Sequence, residues 1–495
     1  MSTLIEDRIR LDNPWWKQDF KGLRESSLPK RGFFKLFYQG VTQKKRNRAV
    51  VLLGPRRVGK TVMLYQAIIQ LMANGVAPNK IYFASLQTPA YLGEWPETLL
   101  NKMLAFNGLT SPEGCYFFFD EVQYFKDWSL HFKVLVDTFP TARFIVSGSA
   151  AAALKMASTE SGTGRFTNFA LPPLLFYEYL NMTPGLQNKF TLLEGRGWSL
   201  NGITKSNGNP THLAVLNRLF LNYIHYGGFP ELVYNPGTLA EDQRILKEEI
   251  INSALQRDLP VLYGIENVQE VYKLLAVFAR QTGMEFRLEK LSMESGLDKD
   301  TIKKYITFLE AAYLIKVVHR VDANGKSFKR NTAFKVYLST TSIRTGLMGE
   351  ARDDTTLGHL VESAIFAQAS TLHSNIYYAR WEEGKKSLEI DLLLGDSPFG
   401  PFQPYEIKWI DNITTSDLNT LINYALENNE SHAIVTTKTI EKQESIRGVS
   451  TSFIPSAVCA AIFGFVSISH RQVNLDDFMS GSGLYDIQNL DPEGL

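Results

Sequence analysis

Residues 50–61, VVLLGPRRVGKT, constrain this chain more than any other stretch. Val50, Val51, Leu52 and Leu53 are apolar β-formers that run straight into Gly54, Pro55, Arg56, Arg57, Val58, Gly59, Lys60 and Thr61. This is a strand followed by the G-x-x-x-x-G-K-T phosphate loop. Beyond it Leu64, Ala67, Ile68, Leu71 and Met72 recur at helical spacing, and Asn74-Gly75 supplies a stop. The order of strand, loop and helix is what the chemistry needs. Gly54 and Gly59 permit backbone shapes in which a Cβ would clash, so successive N–H groups can face the β- and γ-phosphates of ATP. The helix N-terminus adds the positive end of its dipole. Lys60 is expected to neutralise the terminal phosphates, and the Thr61 hydroxyl to take one Mg²⁺ position.

Three more strands follow the phosphate loop. Residues 81–84, IYFA, read as a buried strand, and residues 115–121, CYFFFDE, as an apolar strand ending in two carboxylates. Asp120 is expected to hold Mg²⁺ through water, while Glu121 orients and deprotonates the attacking water. Residues 144–149, FIVSGS, form a further strand ending in small hydroxyls, of which Ser147 or Ser149 suits a sensor of the γ-phosphate. Arg165 follows a glycine-rich run; an arginine finger and an ordinary surface arginine are both compatible with it.

The middle of the chain has a different texture. Residues 183–212 are rich in Gly, Asn and Thr and read as a loop insertion, and residues 222–260 as helical around a break at Gly227-Gly228. Residues 288–318 then spell two short helices separated by a turn at Gly296, with Asp300 as a cap and Ile302, Tyr305, Ile306 and Leu309 on the buried face. A strand at 314–318, a turn at Asn324-Gly325 and a returning strand at 334–338 complete a pattern that resembles a winged helix-turn-helix. Its outward lysines, Lys299, Lys303, Lys304, Lys326 and Lys329, with Arg330, suit the phosphate backbone of duplex DNA.

The last third carries a second set of acids. A helix-like run from Gly358 places Glu362 among apolar residues. Residues 377–380, 387–394 and 405–409 read as strands. Alternation puts Glu406 and Lys408 on one face, with Asp391 across the strand pair. Three converging carboxylates repel one another unless protonated or bridged by a cation, so Mg²⁺ is the expected companion of Glu362, Asp391 and Glu406. Lys408 is placed to stabilise charge or activate water. Glu…Asp…Glu-x-Lys is the pattern of PD-(D/E)XK nucleases.

Bulk properties limit the alternatives. At 495 residues the chain is expected to hold about three domains. A net charge of +1 means that any nucleic acid is met by a local patch rather than by overall basicity. Two cysteines, Cys115 and Cys459, suit a reducing compartment. The opening residues lack a signal-peptide core and the longest apolar run, 458–466, is about half of a membrane span, so a cytoplasmic protein without a membrane partner is expected.

The motifs NPWW, GPRRVGKT, FFFDEVQ, SGSA, GRF and LPPLLFYEYL resemble a large family of prokaryotic AAA-type ATPases whose C-terminal domain of unknown function is similar to restriction endonucleases. The resemblance covers nearly the whole chain. It implies an ASCE-type P-loop ATPase with the same roles for Lys60, Thr61, Asp120 and Glu121. No second-sensor arginine or α-helical lid is legible, so a hexameric motor is not implied, although self-association is compatible with the family. The expected fold is α/β throughout, in six parts. These are an N-terminal extension (1–48), an AAA-type P-loop ATPase domain (49–182), a loop insertion and helical connector (183–260), a winged helix-turn-helix (261–340), a restriction-endonuclease-like α/β domain (350–470) and an acidic tail (471–495). The leading functional expectation is an ATP-dependent DNA-processing enzyme whose nucleotide state controls a metal-dependent nuclease-like domain. The alternative is an ATP-switched DNA- or protein-binding regulator with an inactive nuclease fold.

Overall fold

The structure is a computed structural model that describes residues 4–43, 47–125, 127–149, 164–187, 189–193, 197–200, 210–258, 267–326, 333–395 and 400–473. The basic residues Lys44, Lys45, Arg46, Lys329 and Arg330, and the acidic tail from 474 on, lie outside the described residues. The chain divides into two compact units, one built mainly from Met1–Pro172 and the other mainly from Pro173–Leu255, Glu266–Glu310 and Leu314–Leu495.

The first unit is organised by five parallel strands: β1 (Ala49–Leu53), β2 (Ile81–Ser85), β3 (Tyr116–Asp120), β4 (Arg143–Gly148) and β5 (Phe166–Ala170), in the order β2-β3-β4-β1-β5. Helices Lys60–Ala73, Pro96–Phe106 and Trp128–Thr138 make the crossovers that parallel pairing demands. Strands β1, β3 and β4 are buried throughout their length, which is why they read as unbroken apolar runs rather than alternating ones. Tyr82, Phe117 and Phe144 stack across β2, β3 and β4 with ring centroids 4.8 and 5.5 Å apart. Each such ring removed from water contributes on the order of 1.5–3 kcal/mol. The edge of β2 is covered by the N-terminal turn. The Asn13 amide donates to the Phe83 carbonyl (2.9 Å) and accepts from its N–H (2.7 Å), while Trp15 donates to the Ile81 carbonyl. A side-chain amide thus completes the ladder where a further strand would otherwise add.

The second unit contains a nine-stranded mixed sheet. In chain order its strands are Glu285–Arg287, Ile315–Val321, Ala333–Leu338, Asn375–Glu383, Lys386–Gly395, Gln403–Glu406, His432–Thr437, Lys442–Ile446 and Val449–Pro455. Residues 268–338 run helix (Val268–Arg280), short strand, two helices (Leu288–Ser295 and Lys299–Ala311) and antiparallel hairpin, and the short strand pairs with the second arm of that hairpin. The first arm also pairs in parallel with Asn375–Glu383, in the register Tyr377 to His319. A sequence boundary at 340–350 therefore falls inside one continuous sheet. Helices Asp354–Leu372 and Ser456–Val473 lie together over an apolar core that includes Val361, Ile365, Tyr378, Leu392 and Ala460.

Three local expectations change. Within 183–212 the described residues include a two-stranded hairpin, Phe190–Leu193 with Gly197–Leu200, and a helix that already begins at Pro210. The helix at Lys299–Ala311 is capped by Asp298, not Asp300: Asp298 Oδ1 accepts from the N–H groups of Asp300 and Thr301. Asp300 lies in the first turn, where its carboxylate suits the helix dipole. The strand expected at 405–409 ends at Glu406, and the chain beyond it is held to the neighbouring strand by the Thr436 hydroxyl, which takes the Lys408 N–H at 3.0 Å.

Candidate functional site

Because β1, β3 and β4 are parallel, their C-terminal ends lie at one end of the sheet, and the phosphate loop, Asp120, Glu121 and Ser147 are all at that end. The loop after β1 turns into the helix Lys60–Ala73 through Gly59, whose φ of 96° belongs to the left-handed region. A Cβ at Gly54 would stand 2.4 Å from the Leu171 carbonyl oxygen, so only glycine fits there. Lys60 is 5% exposed and donates to the carbonyls of Gly54 (3.1 Å) and Pro55 (2.9 Å), the bonds it would exchange for phosphate oxygens. Arg31 is equally buried and donates to the Val58 carbonyl at 2.6 Å and to that of Pro172 at 3.0 Å, pinning the loop from a preceding segment. Nothing near Arg31 in the sequence marks it for this task.

The acids lie beside the loop. The Thr61 hydroxyl donates to Asp120 Oδ2 at 2.7 Å, and the Ser147 hydroxyl donates to Asp120 Oδ1. Burial, reinforced by the charge of Glu121, pushes the Asp120 carboxyl up to about 6. A threonine hydroxyl and a carboxylate in contact are hard oxygen donors of the kind Mg²⁺ takes. Glu121 follows the strand in a left-handed conformation (φ 61°). Its carboxylate accepts from the Gln123 amide, whose oxygen in turn accepts from the Ser149 N–H at 3.2 Å. Ser147 is thus engaged with Asp120, whereas the buried Ser149 hydroxyl has no hydrogen-bond partner among the described residues. Gln123, two residues past the acid pair, is a second contributor that sequence reasoning passed over. Arg165 precedes β5 at the opposite end of the parallel strands, paired with Asp137, and so cannot reach this chain's own phosphate loop.

In the second unit, Glu362, Asp391, Glu406 and Lys408 also come to one side of a sheet, but two lysines meet the acids. Lys408 Nζ is 2.6 Å from Glu406 Oε1. Lys335, which is 3% exposed, bridges Glu362 (3.2 Å) and Glu389 (2.6 Å), and Tyr337 donates to Glu362 at 2.6 Å. Asp391 Oδ2 accepts from the Ile407 N–H at 2.8 Å. Burial raises the Glu362 carboxyl, against the pull of Lys335, and burial together with Asp391 raises Glu406 to about 8. Burial works to lower both lysines, yet the surrounding negative charge outweighs it and holds their protons. Among the described residues, no group of three or more His, Cys, Asp and Glu side chains is arranged to hold a metal ion. Lys335 and Tyr337 both meet Glu362 at Oε1, so one oxygen of that carboxylate already faces an ammonium and a phenol. Lys335 stands in a strand whose six residues are all buried, and a lysine in such a run is the signal that could have found it.

The lysines expected to face DNA are partly neutralised: Lys299 pairs with Glu289 (2.8 Å) and Lys303 with Asp300 (3.0 Å), while Lys304 lies over the Phe308 ring. Among the described residues no helix is long and apolar enough to cross a membrane.

Comparison with known proteins bears on both halves. Residues 46–180 match the model of an AAA domain, and residues 217–354 match that of a domain of unknown function, DUF8612. An uncharacterized protein of Haemophilus influenzae is 24% identical over 307 residues, which are 61% of this chain and 69% of that one. The uncharacterized protein MJ1637 of Methanocaldococcus jannaschii is 22% identical over 339 residues, covering 65% and 67%. Among solved structures, the S. cerevisiae Hsp104-ADP complex matches 58% of this chain and 39% of its own at 13% identity, with a TM-score of 0.27, from which no structural equivalence follows. The phosphate loop, the acid pair beside it and the domain match agree: residues 46–180 are an AAA-type P-loop ATPase domain.

Proposed function

We propose that this chain binds and hydrolyses ATP with Mg²⁺ and uses that cycle to switch its engagement of DNA. The observation that carries the first part is the 2.7 Å bond between the Thr61 hydroxyl and Asp120, which unites the two motifs at one end of the sheet. Residues 54–61 cradle the phosphates, Lys60 meets the terminal phosphate charge, and Thr61 and Asp120 are the groups that would hold Mg²⁺. The bound ion would supply charge compensation on the phosphate oxygens. Glu121, next to Asp120, orients the attacking water and takes its proton. Ser147 holds Asp120 in place. The chain belongs in the cytoplasm on this reading.

DNA is proposed as the macromolecular partner because residues 268–338 follow the element order of a winged helix, with Lys304 and the exposed Lys326 available to phosphates. The resemblance of 350–470 to PD-(D/E)XK nucleases admits two readings. In one, Glu362, Asp391 and Glu406 bind Mg²⁺ and Lys408 assists cleavage. In the other, the nuclease-like sheet is inert and the protein is an ATP-switched binder. Lys335 favours the second, because its buried ammonium already compensates Glu362 and Glu389. Incubating the purified chain with plasmid, linear duplex and RNA, with and without ATP and Mg²⁺ or Mn²⁺, tests both. ATP turnover with DNA retention and no cleavage is expected. Metal-dependent nicking that Lys408→Ala removes would establish the nuclease instead.

A further inference from the structure

We infer that Gln123 is a positioning residue for Glu121, and that it ties the carboxylate to the end of the neighbouring strand through Ser149. The inference rests on the reading that residues 46–180 hydrolyse ATP.

Glu121 is the first residue past β3 and has left-handed backbone, so the ladder no longer holds it. Its own N–H makes only a long bond, 3.4 Å, to the Ser147 hydroxyl. The direction of the carboxylate is therefore set by what the side chain itself touches. The Gln123 amide nitrogen donates to Glu121 Oε2, and its amide oxygen accepts from the Ser149 N–H. One partner can only accept and the other can only donate, so the amide has a single orientation that satisfies both. Gln123 is 8% exposed, so bulk water has little access to its amide.

The result is a common anchor. Ser147 holds Asp120 directly, and two residues further on Ser149 holds Glu121 through Gln123. With Oε2 committed to Gln123, the remaining carboxylate oxygen is left to accept a proton from water. A base held by one defined bond spends little of its time misdirected, and a misplacement of about 1 Å costs on the order of a hundredfold in rate.

Three variants of the full chain test this, each read by steady-state ATP turnover, by binding of a fluorescent ADP analogue and by thermal melting. Gln123→Met keeps the length and packing but neither donates nor accepts. It is expected to lower kcat about ten- to a hundredfold, with ADP affinity within about twofold and a melting temperature lower by only a few degrees, the cost of the unpaired Ser149 N–H. Gln123→Glu keeps an acceptor for the Ser149 N–H but presents a second carboxylate to Glu121. It should turn over at least as slowly as Gln123→Met, which keeps the test alive if the methionine variant folds poorly. Gln123→Asn carries the amide one methylene short and should remain impaired. Wild-type kcat in Gln123→Met, or a loss confined to ADP affinity, would overturn the inference. Wild-type turnover no greater than that of Lys60→Ala would instead overturn the ATPase reading and the inference with it.

Discussion

Both units bury carboxylates beside a sheet, and they compensate them by opposite means. In the first, Asp120 is met by the hydroxyls of Thr61 and Ser147, and Glu121 by the amide of Gln123, while the Lys60 ammonium is turned to backbone carbonyls. In the second, ammonium groups themselves touch the acids: Lys335 on Glu362 and Glu389, Lys408 on Glu406. A hydroxyl can yield to a metal ion without separating charges, whereas a buried lysine must first be pulled from its carboxylates. Clusters that look alike as lists of acids thus differ in what they can accept.

The sharpest break in that comparison is at Lys60. Lys60→Ala is expected to abolish nucleotide binding by calorimetry, since it removes the charge that the terminal phosphates meet. Glu121→Gln should still bind ATP but lose about a hundred- to ten-thousandfold in turnover. Wild-type turnover in Glu121→Gln would move the general base elsewhere.

In the second unit the corresponding charge is structural. Lys335→Met leaves the buried Glu362 without its ammonium, while Glu389 keeps Arg380 at 3.5 Å, and breaking a buried pair from one side costs about 3–5 kcal/mol. Urea denaturation of the full chain should show the loss in the transition of the second unit, with ATP turnover retained. A neutral result would mean that Lys335 is dispensable and that the acids are open to a metal.

Metal response comes next. Mn²⁺ is expected to give no rise in melting temperature that depends on Asp391. A rise that Asp391→Ala removes, while ATP hydrolysis persists, would restore the metal-site reading of Glu362, Asp391 and Glu406.

Proton linkage separates the two clusters more gently. Asp120 titrates at about 6, so below that pH a proton competes with Mg²⁺ and the affinity for Mg·ATP should fall. Glu406 is raised from 4.5 to about 8 in the folded chain. Between these values the native state binds more protons than the unfolded one, so stability should decline as pH rises through that window. Glu406→Gln, compared at about pH 5 and about pH 8, should flatten the decline. The smallest effect is at the surface. If duplex DNA binds through the helix Lys299–Ala311 and the hairpin turn beside it, Lys304→Ala or Lys326→Ala should each lower the salt dependence of binding by about one unit. No change in either would favour a protein partner.

Much of the first unit was legible because its chemistry is contiguous. Gly54, Gly59, Lys60 and Thr61 lie within eight residues, and Asp120 and Glu121 sit at the end of an apolar run that only a buried parallel strand explains. Arg31 was not legible: it reaches Val58 from 27 residues away, and no local pattern reports a guanidinium folded onto a carbonyl. Gln123 was in plain view within FFFDEVQ, but its bond to the Ser149 N–H exists only once β3 and β4 are neighbours. In the sequence Lys335 is only part of a returning strand, since its two carboxylates lie 27 and 54 residues further along the chain.

By itself, then, the sequence determined that the chain has a phosphate loop, an acid pair, an α/β framework and a second acidic constellation, because each follows from short-range spacing and periodicity. Tertiary structure decided which charges meet. The parallel pairing of Ile315–Val321 with Asn375–Glu383 joins two stretches that periodicity reads as separate domains into one sheet. That sheet brings Lys335 under the helix bearing Glu362, and so decides that the acid is compensated by a lysine. Side-chain spacing along one strand says which face a residue takes, but only pairing with distant strands says what stands opposite it.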